Sequence, residues 1–356
     1  MMKNKVGIVT WYHSDNYGSQ LQAYALSQTV NKLGFDAEML TASHYPIIKR
    51  LVDGLLYRNK LLSKYTFSHI TDQKELFTKK YLKEYYLNKN NRSISKHSSV
   101  ICGSDQIWAP IQYSPYYMLS FVPDNVNKIS YAASIGLEQI PDNLVDKYKY
   151  YIGRINHVSV RENTAKELLQ EKCSINSTVV LDPTFLIRRE EWDIIKKEMP
   201  VHSKYIFCYF LKKDHHYRDL VKEFAEKNDC VIYGVSENPN DDSWMHLLSH
   251  KQVGPCEFIG LISGAETVIT DSYHGTIFSM LYHKPFILFE RFNKEDKICQ
   301  NSRIEQLKKY FGIDNRIVNP NLINQLDITP IDYSMFESSL TILREKSMCF
   351  LKNALL

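Results

Sequence analysis

Short apolar runs that end in polar or glycine-bearing turns and lead into segments of helical spacing recur along this chain. The clearest lies between residues 266 and 289. A β-branched run at 267–270 stops at Asp271, Ser272, Tyr273, His274 and Gly275, an apolar-periodic stretch follows at 277–282, and a second apolar run begins after Pro285. That is strand, turn, helix, strand, the repeating unit of an open α/β sheet. The chain opens the same way. Residues 5–12 read as a buried strand, 13–19 as a loop, 21–33 as a helix closed by Gly34, and 35–40 as the next strand.

Further runs at 100–108, 128–134, 157–160 and 178–181 each finish in polar residues, namely Ser104 with Asp105, Ser134, Arg161, and Asp182. In a parallel sheet such strand ends share one rim, so these side chains are expected to converge. Asn163 or Thr164 is expected to cap the helix after Arg161. A polar, helical joint at 188–200 precedes a second alternation, with strands at 205–211 and 230–235 and helices at 220–225 and 257–264. A helical period at 335–351 ends the pattern. The fold class is therefore α/β, with two Rossmann-like domains facing across a cleft. The expected division is 1–187, 188–330, and a C-terminal helix at 331–356 that crosses back onto the first domain. The length of 356 residues suits two cores better than one.

Net charge is only +4, and apolar content is ordinary, which excludes a disordered or coiled-coil chain. The exception is residues 49–97, where twelve Lys or Arg stand against four Asp or Glu, leaving the remainder of the chain acidic. Leucines and tyrosines are interleaved there. The plain reading is a solvated helical insertion with a core-facing aromatic stripe. The sharper one is a basic lip on a membrane surface. Nucleic acid is not expected, since no recognition motif accompanies the charge. Seven scattered cysteines without a CxxC motif indicate a reducing compartment, and neither a leader before Val6 nor a bilayer-length apolar run is seen. A cytoplasmic protein is expected, with peripheral contact at the inner face of the membrane through 49–97.

Ligands of open α/β sheets sit beyond the carboxyl ends of the strands, where a helix presents free N–H groups and the positive end of its dipole. Ser272 and His274 fall at such a junction, so an anion is the natural guest. Asn16, Gly18 and Ser19 occupy the equivalent place after the first strand, though no GxGxxG accompanies them. The competing reading is a plain capped turn at each. Other polar groups carry less. His246 and His250 are four apart but lack a third ligand, so no metal is expected. Asp214, His215, His216, Asp241 and Asp242 read as loop residues, Asp182 before Pro183 as a turn opening, and His13 and His157 as packed or loop histidines.

Six stretches together resemble one family. They are NYGSQLQAYAL (16–26), CGSDQIW (102–108), SYAASIG (130–136), SVREN (159–163), VVLDPT (179–184) and DSYHGTIFSMLYHKPF (271–286). In this order they are similar to the polysaccharide pyruvyl transferases, over nearly the whole chain except 49–97. The resemblance implies a GT-B-like fold, with acceptor bound by the first domain and donor by the second. It implies transfer of pyruvate from phosphoenolpyruvate to two hydroxyls of a galactose-type sugar, on a cell-surface polysaccharide or its undecaprenyl-linked precursor. The product is a cyclic ketal, and no cofactor beyond that co-substrate is implied.

On that reading His274 is the acid/base or phosphate-contacting group and Asp105 a base for the hydroxyl. Arg161 leads as the donor's cation, against the competing reading of a structural ion pair with Glu162 or Asp182, with Ser272, Gly275, Lys284 and Arg303 beside it. Asn16, Gly18 and Ser104 shape the acceptor side. One departure stands out. Where members of the family tend to have Arg two residues before the histidine, this chain has Ser272, so the charge has to come from Arg161, Arg303 or Arg291. That gap keeps a nucleotide-sugar glycosyltransferase, and a non-catalytic glycan-binding assembly protein, as alternatives.

Overall fold

Two parallel sheets carry the chain. The computed structural model describes residues 3–13, 16–42, 73–87, 92–201, 204–212, 215–235, 244–249, 251–292, 300–319, 326, 328 and 331–356. The first sheet comprises β1 (Lys5–Val9), β2 (Asp36–Ala42), β3 (Glu84–Leu87), β4 (Ser99–Cys102), β5 (Asn127–Ala133), β6 (His157–Val160) and β7 (Thr178–Val179), in the order β3-β2-β1-β4-β5-β6-β7. The second comprises β8 (Tyr205–Tyr209), β9 (Val231–Val235), β10 (His246–Leu248), β11 (Thr267–Thr270), β12 (Phe286–Phe289) and β13 (Ile317–Val318), in the order β10-β9-β8-β11-β12-β13. All neighbouring strands are parallel. The inner strands are buried on both faces, so they read as near-continuous apolar runs: β4, β8, β11 and β12 are buried at every position. Both sheets reverse their order once, between β1 and β4 and between β8 and β11, which are the points where such sheets hold ligands.

Helix starts were the least legible feature. The first helix is Tyr17–Lys32, beginning well before the apolar period at Leu21, because Asn16 caps it by accepting from the Gly18 N–H at 2.8 Å. Its early polar residues are buried with partners of their own, as when Gln22 Nε2 donates to Thr10 Oγ1 and to the Trp11 carbonyl. The helix after β11 is likewise Tyr273–Leu281, with Ser272 as cap. His274 thus sits in its first turn. The helix Asn163–Cys173 has no side-chain cap of its own, contrary to the expected Asn163 or Thr164. The Asn163 N–H donates instead to Gln306 Oε1 of the second domain, at 2.9 Å.

The two halves interlock around the first helix. Tyr17 stacks on Phe258 with ring centroids 4.9 Å apart, and its hydroxyl donates to the Val253 carbonyl. The C-terminal helix Ser334–Leu355 packs on the first sheet. Arg344 Nε donates to the Phe185 carbonyl, Ser347 Oγ accepts from the Leu181 N–H, and Asn127 Nδ2 donates to the Ala354 carbonyl. Of the basic insertion at 49–97, residues 49–72 and 88–91 lie outside the described residues, and with them most of the membrane-facing reading. The described part is core and sheet edge: Phe77 and Tyr81 pack edge-on against Tyr24, Lys74 lies buried over the Tyr17 ring, and Glu84–Leu87 is β3. No helix among the described residues is long and apolar enough to cross a membrane.

His246 lies on β10, so its spacing to residue 250 does not place two imidazoles on one helical face. Residues 214, 241, 242 and 250 fall outside the described residues. Among those described, no three His, Cys, Asp or Glu are grouped to hold a metal.

Candidate active site

The two switch points face one another across a cavity of about 480 Å³. From the first domain come Thr10 to His13 after β1, Asn16 and Ser19 at the first helix, Asp105 and Gln106 after β4, and Gln112 with Tyr117. From the second come Leu211 after β8, Ser272 to His274 after β11, Arg291 after β12, and Gln300 with Arg303. Three helices begin at this cavity, capped or preceded by Asn16, Ser272 and Asn301. Their dipoles aim positive ends at one volume.

Beneath the floor lies a polar cluster built by Asp182. Its Oδ1 accepts from the Thr184 N–H and hydroxyl. Its Oδ2 accepts from Ser104 Oγ at 3.1 Å and Arg161 Nη1 at 2.9 Å, and lies 3.5 Å from His274 Nε2. Burial would raise this carboxyl, but His274 and Arg161 outweigh it and hold the group far below the usual carboxylate range. This buried charge faces the edge of the His274 ring, whose Nε2 is buried without a hydrogen-bond partner among the described residues. The other side of the ring rests on Gly18, where a Cβ would overlap the imidazole.

Asp105 adopts a left-handed conformation (φ 71°) and lines the cavity. Its Oδ2 accepts from Ser19 Oγ at 2.6 Å, its Oδ1 accepts from the Gln106 N–H, and Arg161 Nη2 stands 3.6 Å away. Burial pushes its carboxyl up, yet Arg161, His274, Ser19 and Arg303 together bring it below its ordinary value. A carboxylate so stabilised is a weak base and a good hydrogen-bond acceptor.

Among the described residues, no ion pair matches the guanidinium on the second domain's wall at Arg303. It is 6% exposed, has a long contact to Gln300 Oε1, and lies 5.6 Å from the centre of the Tyr273 ring. Burial, then the nearby Arg161 and Arg291, push its guanidinium down to about 9. The Nε atoms of Arg303 and of Arg291 are both buried with no partner among the described residues. Buried guanidinium donors of this kind suit an anion.

A family model for polysaccharide pyruvyl transferase matches residues 16–291, from the cap of the first helix to just past β12; of the cavity lining, Thr10 to His13, Gln300 and Arg303 lie outside the match. The chain belongs to the polysaccharide pyruvyl transferase family. Membership makes it a transferase of polysaccharide biosynthesis. A search of curated proteins finds no match. Among solved structures, the chain is similar to a UDP-GlcNAc 2-epimerase of Methanocaldococcus jannaschii in complex with UDP-GlcNAc and UDP. Identity is 13% and TM-score 0.52, over 96% of this chain and 99% of that one. It is also similar to a proposed UDP-N-acetylglucosamine 2-epimerase of Listeria monocytogenes, with identity 12% and TM-score 0.52, over 99% and 91% of the two chains. At such identity the likeness is one of fold, and the transferase is GT-B in architecture.

The transferase gathers His274, Asp105, Ser272, Arg303 and Asn16 on the cavity, as one rim. Five other expected site residues do not line it. Arg161 is 2% exposed and does not line the cavity; its guanidinium is bonded to Asp182 and stacked 4.6 Å from the Tyr273 ring, which forms the wall in its place. Ser104 is fully buried as a donor to Asp182 and the Ala132 carbonyl. Gly18 and Gly275 serve packing: the first makes room for His274, and the second presses on Thr270 and donates its N–H to Ser272 Oγ. Lys284 precedes β12 at its amino end, away from the carboxyl-end rim, beside Glu266 and Arg189.

Sequence reading missed Tyr273 and Gln300 as parts of the site; Ser19 was placed at it, and Asp182, among the strand ends expected to converge, was read chiefly as a turn. The Asp-Pro signal was correctly a turn, since Asp182 does cap Thr184. Only its second oxygen, turned toward three other segments, reveals the further role.

Proposed function

We propose that the transferase moves pyruvate from phosphoenolpyruvate onto two hydroxyls of a sugar, galactose-type, in a cell-surface polysaccharide or its lipid-linked precursor. The observation that carries this reading is the pair Arg291 and Arg303, buried nitrogens unmatched among the described residues, on the cavity wall shared with His274. A small dianion with an added carboxylate matches that wall in charge and in its need for forked donors. These two guanidiniums also answer the departure at Ser272, since they reach the cavity from other elements.

The reaction begins when the methylene carbon of the donor takes a proton, which leaves C2 electrophilic. One sugar hydroxyl adds to C2 and gives up its proton. The C2–O bond to phosphate then breaks, and the second hydroxyl adds and releases its own proton, closing the ketal. Of the two hydroxyl protons, one replaces that taken up by carbon and the other leaves with inorganic phosphate. His274, with the Asp182 carboxylate facing its ring edge, is the proton-transferring group. Arg291 and Arg303 hold the phosphate and carboxylate, and stabilise the charge that grows on the departing phosphate. Asp105, already in its charged form, orients a hydroxyl and favours cationic character at C2.

The GT-B scaffold is also used with nucleotide-sugar donors, and fold alone does not distinguish the two. Purified protein supplied with phosphoenolpyruvate or UDP-sugars, each with a galactoside acceptor, separates them. Phosphate release that depends on acceptor is the expected result, and UDP release without phosphate release would overturn it.

A further inference from the structure

The two walls of the cavity differ in chemistry. The second domain supplies the guanidiniums of Arg291 and Arg303 beside the Tyr273 ring. Among the described residues, the first supplies no cationic arginine or lysine but the rings Trp11, Tyr12 and Tyr117, with the neutral amide of Gln112 beside them. These rings are held in place. Trp11 meets Tyr117 edge to face at 6.0 Å and 88°, and its carbonyl accepts from Gln22 Nε2. Tyr117 meets Tyr116 edge-on at 5.4 Å, and Tyr116 is itself stacked on Phe121 and bonded to the Leu40 carbonyl. The Tyr12 hydroxyl is tied to Thr41 and Glu84 on β2 and β3, so this ring offers the cavity carbon surface and no free hydroxyl.

From this we propose that Trp11 and Tyr117, set at right angles, form an aromatic platform for the acceptor's pyranose ring, one ring stacking on its C–H face and the other flanking it. A hexose is amphipathic. One face presents C–H groups that seat on an aromatic surface, while its rim of hydroxyls needs neutral hydrogen-bonding groups. The ringed wall offers both, with Gln112 and the acceptor oxygens of Asp105 at the edge. A dianionic donor gains nothing from that wall, and a neutral sugar gains little from the charged one. The cavity thereby sorts its two substrates by domain. The platform also replaces the acceptor contacts first expected at Gly18 and Ser104, which are packed out of reach. Preorganised rings bind at small entropic cost, which is why the bracing by Gln22 and Tyr116 matters.

This assignment rests on the pyruvyl-transfer reading, and the test separates the two. Saturation-transfer NMR on the full chain, with methyl galactoside, glucoside and mannoside as probes, reports sugar contact. Broadening of the ³¹P line of phosphoenolpyruvate reports donor contact. At least one glycoside is expected to receive saturation at its ring C–H protons. Trp11→Ala and Tyr117→Ala should each weaken its binding by about tenfold, corresponding to about 1.4 kcal/mol of lost contact. Trp11→Phe should restore most of it, and donor broadening should stay as in the wild type throughout. Circular dichroism checks that each variant is folded. Absence of binding by all three glycosides, or binding that survives both alanine variants, would overturn the platform. Glycoside binding through Trp11 without any donor broadening would instead remove phosphoenolpyruvate and leave the platform standing.

Discussion

The role proposed for His274 depends on two neighbours that do no chemistry: Gly18, which leaves room for the ring, and Asp182, whose carboxylate faces its edge at 3.5 Å. His274→Ala should lower kcat by at least about a hundredfold without unfolding the chain, the usual range for a lost proton-transfer group. Near-normal turnover would remove its role. Asp182→Asn leaves Arg161 buried beside a neutral amide, which should cost about 3–5 kcal/mol at neutral pH in urea unfolding. The sign with pH follows from the depressed folded-state pKa. Stability from Asp182 is fully present above the unfolded carboxyl's value near about 4, and is lost progressively as pH falls from there toward the far lower folded value. The gap between wild type and variant should therefore narrow on acidification, and a gap independent of pH would contradict the ion-pair account. What was legible at this scale followed from position. His274, Ser272 and Asp105 follow strands, so a strand-turn-helix pattern finds them. The burial of Arg161 was not legible, because a strand-end arginine reads alike whether it meets solvent, ligand or Asp182.

Elements explain why the sequence pattern located the strands well and the helix starts poorly. β6 and β11 coincide with their expected spans, since inner parallel strands are apolar throughout. The helices Tyr17–Lys32 and Tyr273–Leu281 begin several residues before their apolar period, because their first turns belong to the cavity and its polar neighbours rather than to the core. The close passage of those two first turns has a consequence of its own. Gly18→Ala would favour the helix locally yet push on the imidazole of His274. We expect kcat to fall by about a hundredfold, since small displacements of a reacting group are costly. Unchanged kcat would show that the ring has room to move.

At the scale of the whole molecule, two doubly wound sheets meet at their switch points, with the C-terminal helix fastened to the first. This architecture was legible from alternation and strand-end polarity. The partition of charge between the walls was not, because Arg291, Gln300 and Arg303 come from segments with no distinguishing pattern. The C-terminal helix buries Leu340 and Leu351 among its contacts. Leu351→Ala should cost about 2–5 kcal/mol in urea unfolding, and a loss below about 0.5 kcal/mol would mean that the helix is only loosely attached.

The central claim is that this cavity holds a small anionic donor on Arg291 and Arg303. Calorimetric titration with phosphoenolpyruvate tests it directly, using wild type, the Arg291→Ala/Arg303→Ala double variant, and UDP as a control. The account predicts single-site binding to the wild type, weakened at least about tenfold in the double variant, with UDP bound less tightly than phosphoenolpyruvate. Equal affinity in the double variant, or tighter binding of UDP, would contradict it.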